Sequence, residues 1–275
     1  MNRNLIIRTI SGIIYVGIIV VACMLGNPGV IALSMVMAIL AMCEYKAMYK
    51  DRVGVTAIPL VIDVIAAASM ASPLWGWAVA LLCLLCRMAV MVYDKRRQAV
   101  SAFMVDASGY LYIGMPMAAM SVVGLINPMY LLCIFITIWL NDTGAYCVGS
   151  LFGKHKFFPR VSPKKSWEGF FGGLAFSAGF GCLLAFCGWT LADFSGVAHR
   201  EAFWIVSSIL TALAATIGDL FESALKRHLG LKDSGKMIPG HGGILDRIDS
   251  LLFAAPVALL LYLCWSAFFS HALMF

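Results

Sequence analysis

Acidic and basic side chains are concentrated between residues 219 and 249 of an otherwise strongly apolar chain. Asp246 and Asp249 are three residues apart, so on a helix their carboxylates share one face and could bind one cation. Asp219, Ser223 and Lys226 follow helical spacing, which aligns an acid, a hydroxyl and an ammonium on one stripe. Carboxylates are ligands for Mg²⁺, and ammonium groups bind phosphates. The pattern therefore predicts chemistry on phosphate groups.

A glycine-rich segment, 239–243, lies between these two sets of residues. Glycine lets backbone N–H groups approach a phosphate closely, and a helix that starts just after the segment would favour an anion at its N-terminus. Gly242 and Gly243 are therefore predicted to bind substrate phosphate. His241 could donate to the same phosphate or could only cap the turn, and the sequence leaves both roles open.

Four basic side chains accompany these acids, namely Lys226, Arg227, Lys232 and Arg247. They could clamp phosphate groups, or they could simply pair with the acids at helix ends near a membrane surface. Acids are costly inside apolar segments, and this cost favours a functional role over simple ion pairing. We therefore expect the four cations to bind phosphate, with Lys226 and Arg227 nearest to the reaction.

A second polar group lies upstream. Asn141 and Asp142 interrupt an apolar helix and are secondary candidates for positioning a metal or nucleotide. Lys164 and Lys165 follow a proline and directly precede Ser166, a residue type that caps helix N-termini. Because a rigid helix start would hold them, both lysines are predicted to bind phosphate. The basic residues just before them fit an ordinary cytoplasmic loop.

The composition excludes an ordinary soluble domain, since 62% of the 275 residues are hydrophobic and only 12% are charged. We predict an all-α integral membrane protein, a polytopic bundle of about nine transmembrane helices with a cytoplasmic N-terminus. The candidate spans are 5–25, 28–44, 55–71, 73–93, 102–126, 128–149, 167–190, 202–222 and 244–270.

The predicted orientation rests on the basic residues. With the N-terminus inside, only Arg87 and Arg200 lie outside the cytoplasmic segments, and Lys46 is assigned to one of these segments. A basic excess of this kind is typical of cytoplasmic loops and accounts for the net charge of +6. Such a surface would attract anionic headgroups and nucleotides, and nucleic acid is not expected as a partner.

The chain is predicted to form a single membrane domain, 1–275, with N-terminal helices in 1–126 and a catalytic half in 127–275. Two cytoplasmic loops, 150–166 and 223–243, are expected to serve the catalytic half.

Four charged residues, Glu44, Asp63, Arg87 and Asp106, lie within or beside the early spans. Transport would be their functional interpretation, but no pattern links them, so roles in helix packing are favoured.

Several of these segments together match a pattern known from one family, the phosphatidate cytidylyltransferases, also called CDP-diacylglycerol synthases. The resemblance covers about the last half of the chain, while the early spans resemble the family mainly in hydropathy. It is carried by Ser223–Arg227, Lys232–Asp233, Gly235, Ile238–Pro239, His241–Gly243 and Asp246–Asp249, together with Asn141–Tyr146 and Ser162–Gly169.

The resemblance implies a multi-pass enzyme of a bacterial cytoplasmic membrane that joins CTP to phosphatidic acid and releases pyrophosphate. It also implies a requirement for Mg²⁺ and a metal centre near Asp219 and Asp246. The protein is further expected to form a homodimer and to be surrounded by membrane lipids. Asp249 is expected as a further metal ligand, and a second, monovalent cation is left open. In the expected reaction a phosphatidate oxygen attacks the α-phosphorus of CTP, and the cations clamp the phosphates.

Two other functions would use part of the same pattern of residues. A CTP-dependent lipid-alcohol kinase of the membrane would use similar groups but would release CDP. An ion-coupled transporter would also contain acids within the membrane, but paired repeats would be expected, and none is visible. The CDP-alcohol phosphotransferases are disfavoured because their D-G-x-x-A-R unit is missing.

Overall fold

The structure is a computed structural model, and it describes residues 3–72, 75–186, 197, 199–235, 237 and 242–272. It is built from α-helices, one π-helical turn (Tyr110–Gly114) and one short β-hairpin. The α-helices are α1 (Arg3–Met24), α2 (Asn27–Met48), α3 (Lys50–Val53), α4 (Ala57–Met70), α5 (Gly76–Tyr93), α6 (Ala99–Gly109), α7 (Met115–Ile126), α8 (Pro128–Phe152), α9 (Trp167–Phe186), α10 (Arg200–Leu229) and α11 (Leu245–Ala272). The hairpin strands are β1 (Lys156–Phe158) and β2 (Ser162–Ser166).

Long apolar helices dominate this fold. In the part of the chain that the structure describes, seven helical segments are long and apolar enough to cross a membrane, and Thr9–Met24 and Ala57–Met70 are shorter apolar helices. The segment Ala99–Ile126 is one continuous span in which α6 and α7 are joined by the π-helical turn. The prediction of an all-α polytopic membrane protein is confirmed. The count of nine spans and the cytoplasmic N-terminus remain predictions.

The chain folds into two compact units. Unit 1 contains Met1–Leu125 and Leu225–Ile248, and unit 2 contains Ile126–Ala224 and Asp249–Phe275. The C-terminal end of α10 and the N-terminal end of α11 therefore belong to unit 1, while the remaining parts of both helices belong to unit 2.

Unit 1 contains a buried ion network. Lys46 on α2 pairs with Asp63 on α4 (2.9 Å) and with Asp106 on α6, while Arg87 on α5 pairs with the same two acids. Tyr110, at the start of the π-helical turn, donates its hydroxyl to Asp63 Oδ1 (2.6 Å). Two cations and two anions balance one another, as buried charges must in an apolar interior. These residues therefore link four helices of unit 1, which agrees with the predicted packing role.

Lys46 departs from the sequence prediction. The charge count assigns it to a cytoplasmic segment, but α2 extends to Met48 and Lys46 is only 3% exposed. A lysine that neutralises two buried acids carries no information about the side of the membrane. The prediction that Lys46 lies in a loop is therefore wrong, and the side of the membrane on which it lies remains a prediction.

In unit 2, helices α8 and α9 pack closely through glycines. A Cβ atom at Gly173 would come within 2.6 Å of the Asn141 carbonyl oxygen, and one at Gly169 within 2.8 Å of the Ala145 carbonyl oxygen. Small residues of this kind let two helix backbones approach each other in a membrane protein. The close approach places the polar end of α8 beside the N-terminal end of α9.

The hairpin stands between these two helices in the sequence. Strands β1 and β2 are antiparallel, with Lys156 opposite Ser166 and Phe158 opposite Ser162. The sequence predicts only a loop here, because strands of three and five residues leave almost no alternating pattern.

Candidate active site

A cavity of about 360 Å³ lies in unit 2 between α8, the hairpin, α9 and α10. Five residues predicted from the sequence line it, namely Asn141, Asp142, Lys164, Lys165 and Asp219. The structure therefore brings together two segments that are about 20 residues apart in the chain, as well as Asp219 on α10, about 50 residues further along. A cavity with lysines and acids on its walls suits a ligand that carries phosphate and a bound cation.

Ser166 sets the position of the two lysines. Its side chain accepts a hydrogen bond from the Gly169 backbone N–H (3.2 Å), so it is the N-cap of α9 and the predicted cap is confirmed. Because Lys164 and Lys165 lie on β2 just before this cap, the strand and the helix start both restrain them. Glu168 also accepts hydrogen bonds from the backbone N–H groups of Lys154 and His155, which ties the entry of the hairpin to α9.

Lys165 and Asp219 form an ion pair across the cavity. Their Nζ and Oδ2 atoms are 2.6 Å apart, and both side chains are about one-third exposed. Asp219 also accepts a hydrogen bond from Ser223 Oγ (3.3 Å), one turn further along α10, which confirms the predicted alignment of these two residues. A predicted phosphate-binding cation and a predicted metal-binding acid thus lie side by side.

Asp249 belongs to an acidic cluster, by which we mean Asp142, Asp219, Glu222 and Asp249. The negative charges of Asp219, Glu222 and Asp142 all repel the Asp249 carboxylate. Gly218 makes the proximity of Asp219 and Asp249 possible, because a Cβ atom there would collide with the Asp249 backbone carbonyl on α11. Neighbouring carboxylates that repel one another are stabilised when a cation binds.

The cluster does not form a ready-made metal cage. Among the described residues, no three His, Cys, Asp or Glu side chains converge closely enough to hold a metal ion. Mg²⁺ needs no such cage, because it is usually held by one or two carboxylates, with substrate phosphates and water as its other ligands. The acidic cluster of unit 2 therefore fits Mg²⁺ that arrives with a nucleotide, and the donor set is made of hard oxygen ligands.

Several neighbours of the cavity were not singled out from the sequence. Tyr146, Phe157 and Phe170 form apolar walls, and Thr216 accepts a hydrogen bond from Asn141 Nδ2 (3.2 Å). Glu222 is noticeable in the sequence only as an acid in an apolar helix. Aromatic residues are common in membrane helices, so nothing in their spacing indicates a cavity wall.

In unit 1, Lys226 and Asp246 form a second ion pair. Lys226 Nζ lies 2.5 Å from Asp246 Oδ1, and Lys226 is 9% exposed. Asp246 Oδ2 accepts hydrogen bonds from the backbone N–H groups of Gly243 (2.9 Å) and Ser234 (3.1 Å). In this structure the Gly243 amide, predicted to bind phosphate, is therefore engaged by Asp246. The prediction that Asp246 and Asp249 share one cation remains a prediction.

The end of α10 has a well-defined termination. Gly230 has a positive φ of 76°, and Leu231 N–H donates to the Lys226 carbonyl while Gly230 N–H donates to the Arg227 carbonyl, which is a Schellman motif. The Arg227 guanidinium donates to the Leu231 carbonyl (3.1 Å). Arg227 thus has a structural contact at the helix end, and its side chain is exposed.

The remaining predicted residues are exposed or outside the described part. Lys232 and Arg247 are exposed, and the Arg247 carbonyl accepts a hydrogen bond from the Tyr15 hydroxyl (3.2 Å). Gly242 has a positive φ of 87°, which suits glycine. His241, whose role the sequence leaves open, lies outside the described residues.

The contacts of Glu44, a residue of unit 1, were not predicted from the sequence. It is 4% exposed and accepts hydrogen bonds from the backbone N–H groups of Ile244 (2.9 Å) and Leu245 (3.1 Å), and from Ser234 Oγ. An acid near the end of an apolar span is a signal for function. Its partners are about 200 residues away in the chain, and nothing in the sequence identifies them.

Taken together, these features define a polytopic membrane protein with lysines and acids gathered around a cavity suited to phosphate. Comparison with known proteins narrows this class: the model of the cytidylyltransferase family matches residues 6–265. The chain therefore belongs to the cytidylyltransferase family, which confirms the family expected from the motifs.

Curated relatives agree with the family. The chain is 45% identical over 130 residues to proteins named phosphatidate cytidylyltransferase from Staphylococcus saprophyticus, Staphylococcus haemolyticus and Staphylococcus aureus. Each match covers 46% of this chain, and the chain spans about half the length of the curated relatives that it matches (46%).

Proposed function

We propose that this protein is a phosphatidate cytidylyltransferase, which makes CDP-diacylglycerol and pyrophosphate from CTP and phosphatidic acid. The observation that carries the proposal is the cavity of unit 2, where Lys164 and Lys165 face Asp142 and Asp219. The names of the staphylococcal relatives support the choice of substrates.

The reaction is a substitution at the α-phosphorus of CTP. An oxygen of the phosphatidate phosphate attacks this atom, a new P–O bond forms, and the bond to the leaving pyrophosphate breaks. The nucleophile is already an anion, so no side chain has to remove a proton from it. The protein's task is to bring two polyanions together and to stabilise the charge that develops on the leaving group.

The lysines are proposed to bind the phosphates. In the structure the Lys165 ammonium is balanced by Asp219 at 2.6 Å, so it is held in the cavity before any substrate arrives. When a nucleotide and its cation enter, Lys165 can turn to a phosphate and Asp219 to the cation, so each charge of the pair keeps a partner of opposite sign. Lys226, Arg227, Lys232 and Arg247, with Ser223 and Gly242, keep the phosphate-binding roles that the sequence pattern predicts.

Mg²⁺ is the proposed cofactor, and when bound it would neutralise charge on the phosphates. Asp219 and Asp249 would hold it, since they belong to the acidic cluster of unit 2. Asp246 is retained as a ligand because of the resemblance. We further propose that a second, monovalent cation takes part, that the protein forms a homodimer, and that it lies in a bacterial cytoplasmic membrane. The membrane supplies phosphatidic acid, and the cytoplasm supplies CTP.

Product analysis tests this function directly. The purified protein is reconstituted in vesicles with phosphatidic acid, CTP and Mg²⁺, and the products are measured by lipid mass spectrometry and a pyrophosphate assay. We expect CDP-diacylglycerol and pyrophosphate in equal amounts. A phosphorylated lipid alcohol with CDP as the second product would instead identify the kinase, and vesicles that contain diacylglycerol in place of phosphatidic acid provide that comparison.

A further inference from the structure

Glu44 contacts the loop between α10 and α11 at two of its described parts, Ser234 and Ile244. One carboxylate oxygen accepts from Ile244 N–H at 2.9 Å, and the other accepts from Leu245 N–H at 3.1 Å and from the Ser234 hydroxyl. The side chain is 4% exposed, so these bonds do not compete with bulk water. A single carboxylate of α2 thereby joins the first part of the loop to its last residue and to the start of α11.

Glu44 replaces a local helix cap. Helix N-termini leave their first N–H groups without partners within the helix, and a Ser, Thr, Asp or Asn just before the helix usually accepts from one of them. Here Ile244 occupies that place and has no acceptor in its side chain. The charge of Glu44 is also placed favourably, because an anion near a helix N-terminus is stabilised by the helix dipole.

Two glycines of the loop make room for this carboxylate. A Cβ atom at Gly235 would lie 2.7 Å from Glu44 Oε2, and one at Gly243 would collide with both Glu44 and Ser234. Glycine at these positions therefore has a reason that is independent of phosphate binding. The loop and Glu44 fit each other closely.

The same loop atoms hold Asp246. Ser234 N–H and Gly243 N–H donate to Asp246 Oδ2, and Asp246 N–H donates to the Ser234 hydroxyl (3.3 Å). Ser234 thus contacts Glu44 with its hydroxyl and Asp246 with its backbone N–H. Any displacement of Ser234 or of residues 243–245 would reorient the Asp246 carboxylate.

We propose that Glu44 is a positioning residue for cytidylyl transfer, which fixes Ser234 and residues 244–245 and thereby the orientation of Asp246. The inference rests on the proposed function, in which Asp246 acts in the reaction. Glu44 touches neither substrate nor cation in this proposal and acts only through the loop.

The test is the variant Glu44→Gln, examined as the purified full-length protein. Glutamine keeps the size of the side chain but presents one acceptor and an NH₂ group, which opposes the N–H of either Ile244 or Leu245. Asp51→Asn is the control, because Asp51 is an exposed acid on the neighbouring helix α3. Amide hydrogen exchange at residues 244–245, thermal unfolding in detergent, and the kcat and KM for both substrates are measured.

We expect exchange at residues 244–245 to accelerate by about tenfold or more in Glu44→Gln, since hydrogen bonds to a charged acceptor are lost. The kcat should fall by about tenfold or more while both KM values stay close to those of wild type, because Asp246 is needed in the transition state. The unfolding temperature should stay close to that of Asp51→Asn. A role in folding alone would lower the unfolding temperature and leave the kcat of the folded enzyme intact.

Either of two results overturns the proposal: exchange at residues 244–245 as slow as in the control, or faster exchange with an unchanged kcat. If Glu44→Gln does not fold, Ser234→Ala removes one of the three contacts of Glu44, together with the acceptor of Asp246 N–H, and should shift exchange and kcat in the same direction. A wild-type protein that makes no CDP-diacylglycerol would refute the proposed function, whereas the exchange data would still show whether Glu44 orders the loop.

Discussion

At the scale of single residues, two ion pairs have the same composition, a lysine and an aspartate. Lys165 pairs with Asp219 in unit 2, and Lys226 pairs with Asp246 in unit 1. Each pair joins a cation suited to phosphate with an acid suited to a metal. The Lys165–Asp219 pair is partly exposed, and exposed salt bridges contribute little to stability, whereas the Lys226–Asp246 pair is largely buried. Their value in the proposed reaction is that both partners are already in place when nucleotide and cation arrive together.

Asp219→Asn should abolish most of the transferase activity and leave the fold intact. The amide keeps the shape of the side chain but removes the charge that a hard cation needs, so kcat/KM should fall by about a hundredfold or more. Glu201→Gln is the matched control, since Glu201 is an exposed acid at the start of the same helix. Steady-state kinetics with varied Mg²⁺ measure the effect, and near-normal turnover in Asp219→Asn would remove this residue from the site.

Lys165→Ala should lower kcat/KM for CTP, because a phosphate clamp in the transition state contributes about 2–4 kcal/mol, equivalent to roughly a hundredfold or more. Lys95→Ala is the control, since Lys95 is exposed in the α5–α6 loop. Arg96 is a poorer control, because it bonds to Asp94 and to the Gly54 carbonyl. Equal, small effects of the two lysine variants in the kinetic assay would mean that Lys165 only contributes to the basic surface.

At the scale of elements, close helix contacts bring the polar residues together. Gly169 and Gly173 allow α9 to approach α8, and Gly218 allows α11 to approach α10 at Asp249. The hairpin and the Ser166 cap then deliver the lysines to the same cavity. The glycines of unit 2 therefore determine the geometry of the site through close helix packing.

Gly218→Ala should disturb both the packing and the activity. Its Cβ atom would meet the Asp249 backbone carbonyl, and overpacking of this kind typically costs about 1–3 kcal/mol. The same substitution at Gly179 on α9 is the control, because a Cβ atom there meets no other atom within 4 Å. Thermal unfolding and specific activity measure the result. Identical behaviour of the two variants would show that the α10–α11 contact is not tight at this point.

The elements also show what the sequence could and could not predict. The apolar runs predict most helices to within a few residues, and the Ser166 cap and the Asp219–Ser223 alignment follow from local spacing. Glu44 and the hairpin could not be predicted in the same way. The contacts of Glu44 lie about 200 residues away, and the strands are too short to produce a pattern. The pairing of Lys165 with Asp219 is also set by tertiary structure alone.

At the scale of the whole molecule, the N-terminal helices are more than a membrane anchor. They supply the buried network of Lys46, Asp63, Arg87 and Asp106, and they supply Glu44. The network is closed on itself within the described residues, which supports a structural role. The orientation of the protein in the membrane remains a prediction from its basic residues.

Arg87→Leu should destabilise the protein strongly, because it leaves two buried acids with one cation. Breaking a buried ion pair in this way costs about 3–5 kcal/mol, whereas replacing both partners by apolar residues is often close to neutral. The double variant Arg87→Leu/Asp106→Leu should therefore recover much of the loss. Unfolding in a detergent titration measures both variants. A double variant less stable than the single one would contradict a purely structural network.

The central claim is that the protein transfers the cytidylyl group of CTP to phosphatidic acid. The most direct test is to follow the α-phosphate and the γ-phosphate of CTP separately. Vesicles that contain the protein, phosphatidic acid and Mg²⁺ are given CTP labelled either at the α-phosphate or at the γ-phosphate, and the label in the lipid fraction is counted. We predict that α-label enters the lipid, that γ-label is released as pyrophosphate and does not enter the lipid, and that Asp219→Asn removes most of the lipid label and of the released pyrophosphate. Label from the γ-phosphate in the lipid, or no α-label there, would contradict the account.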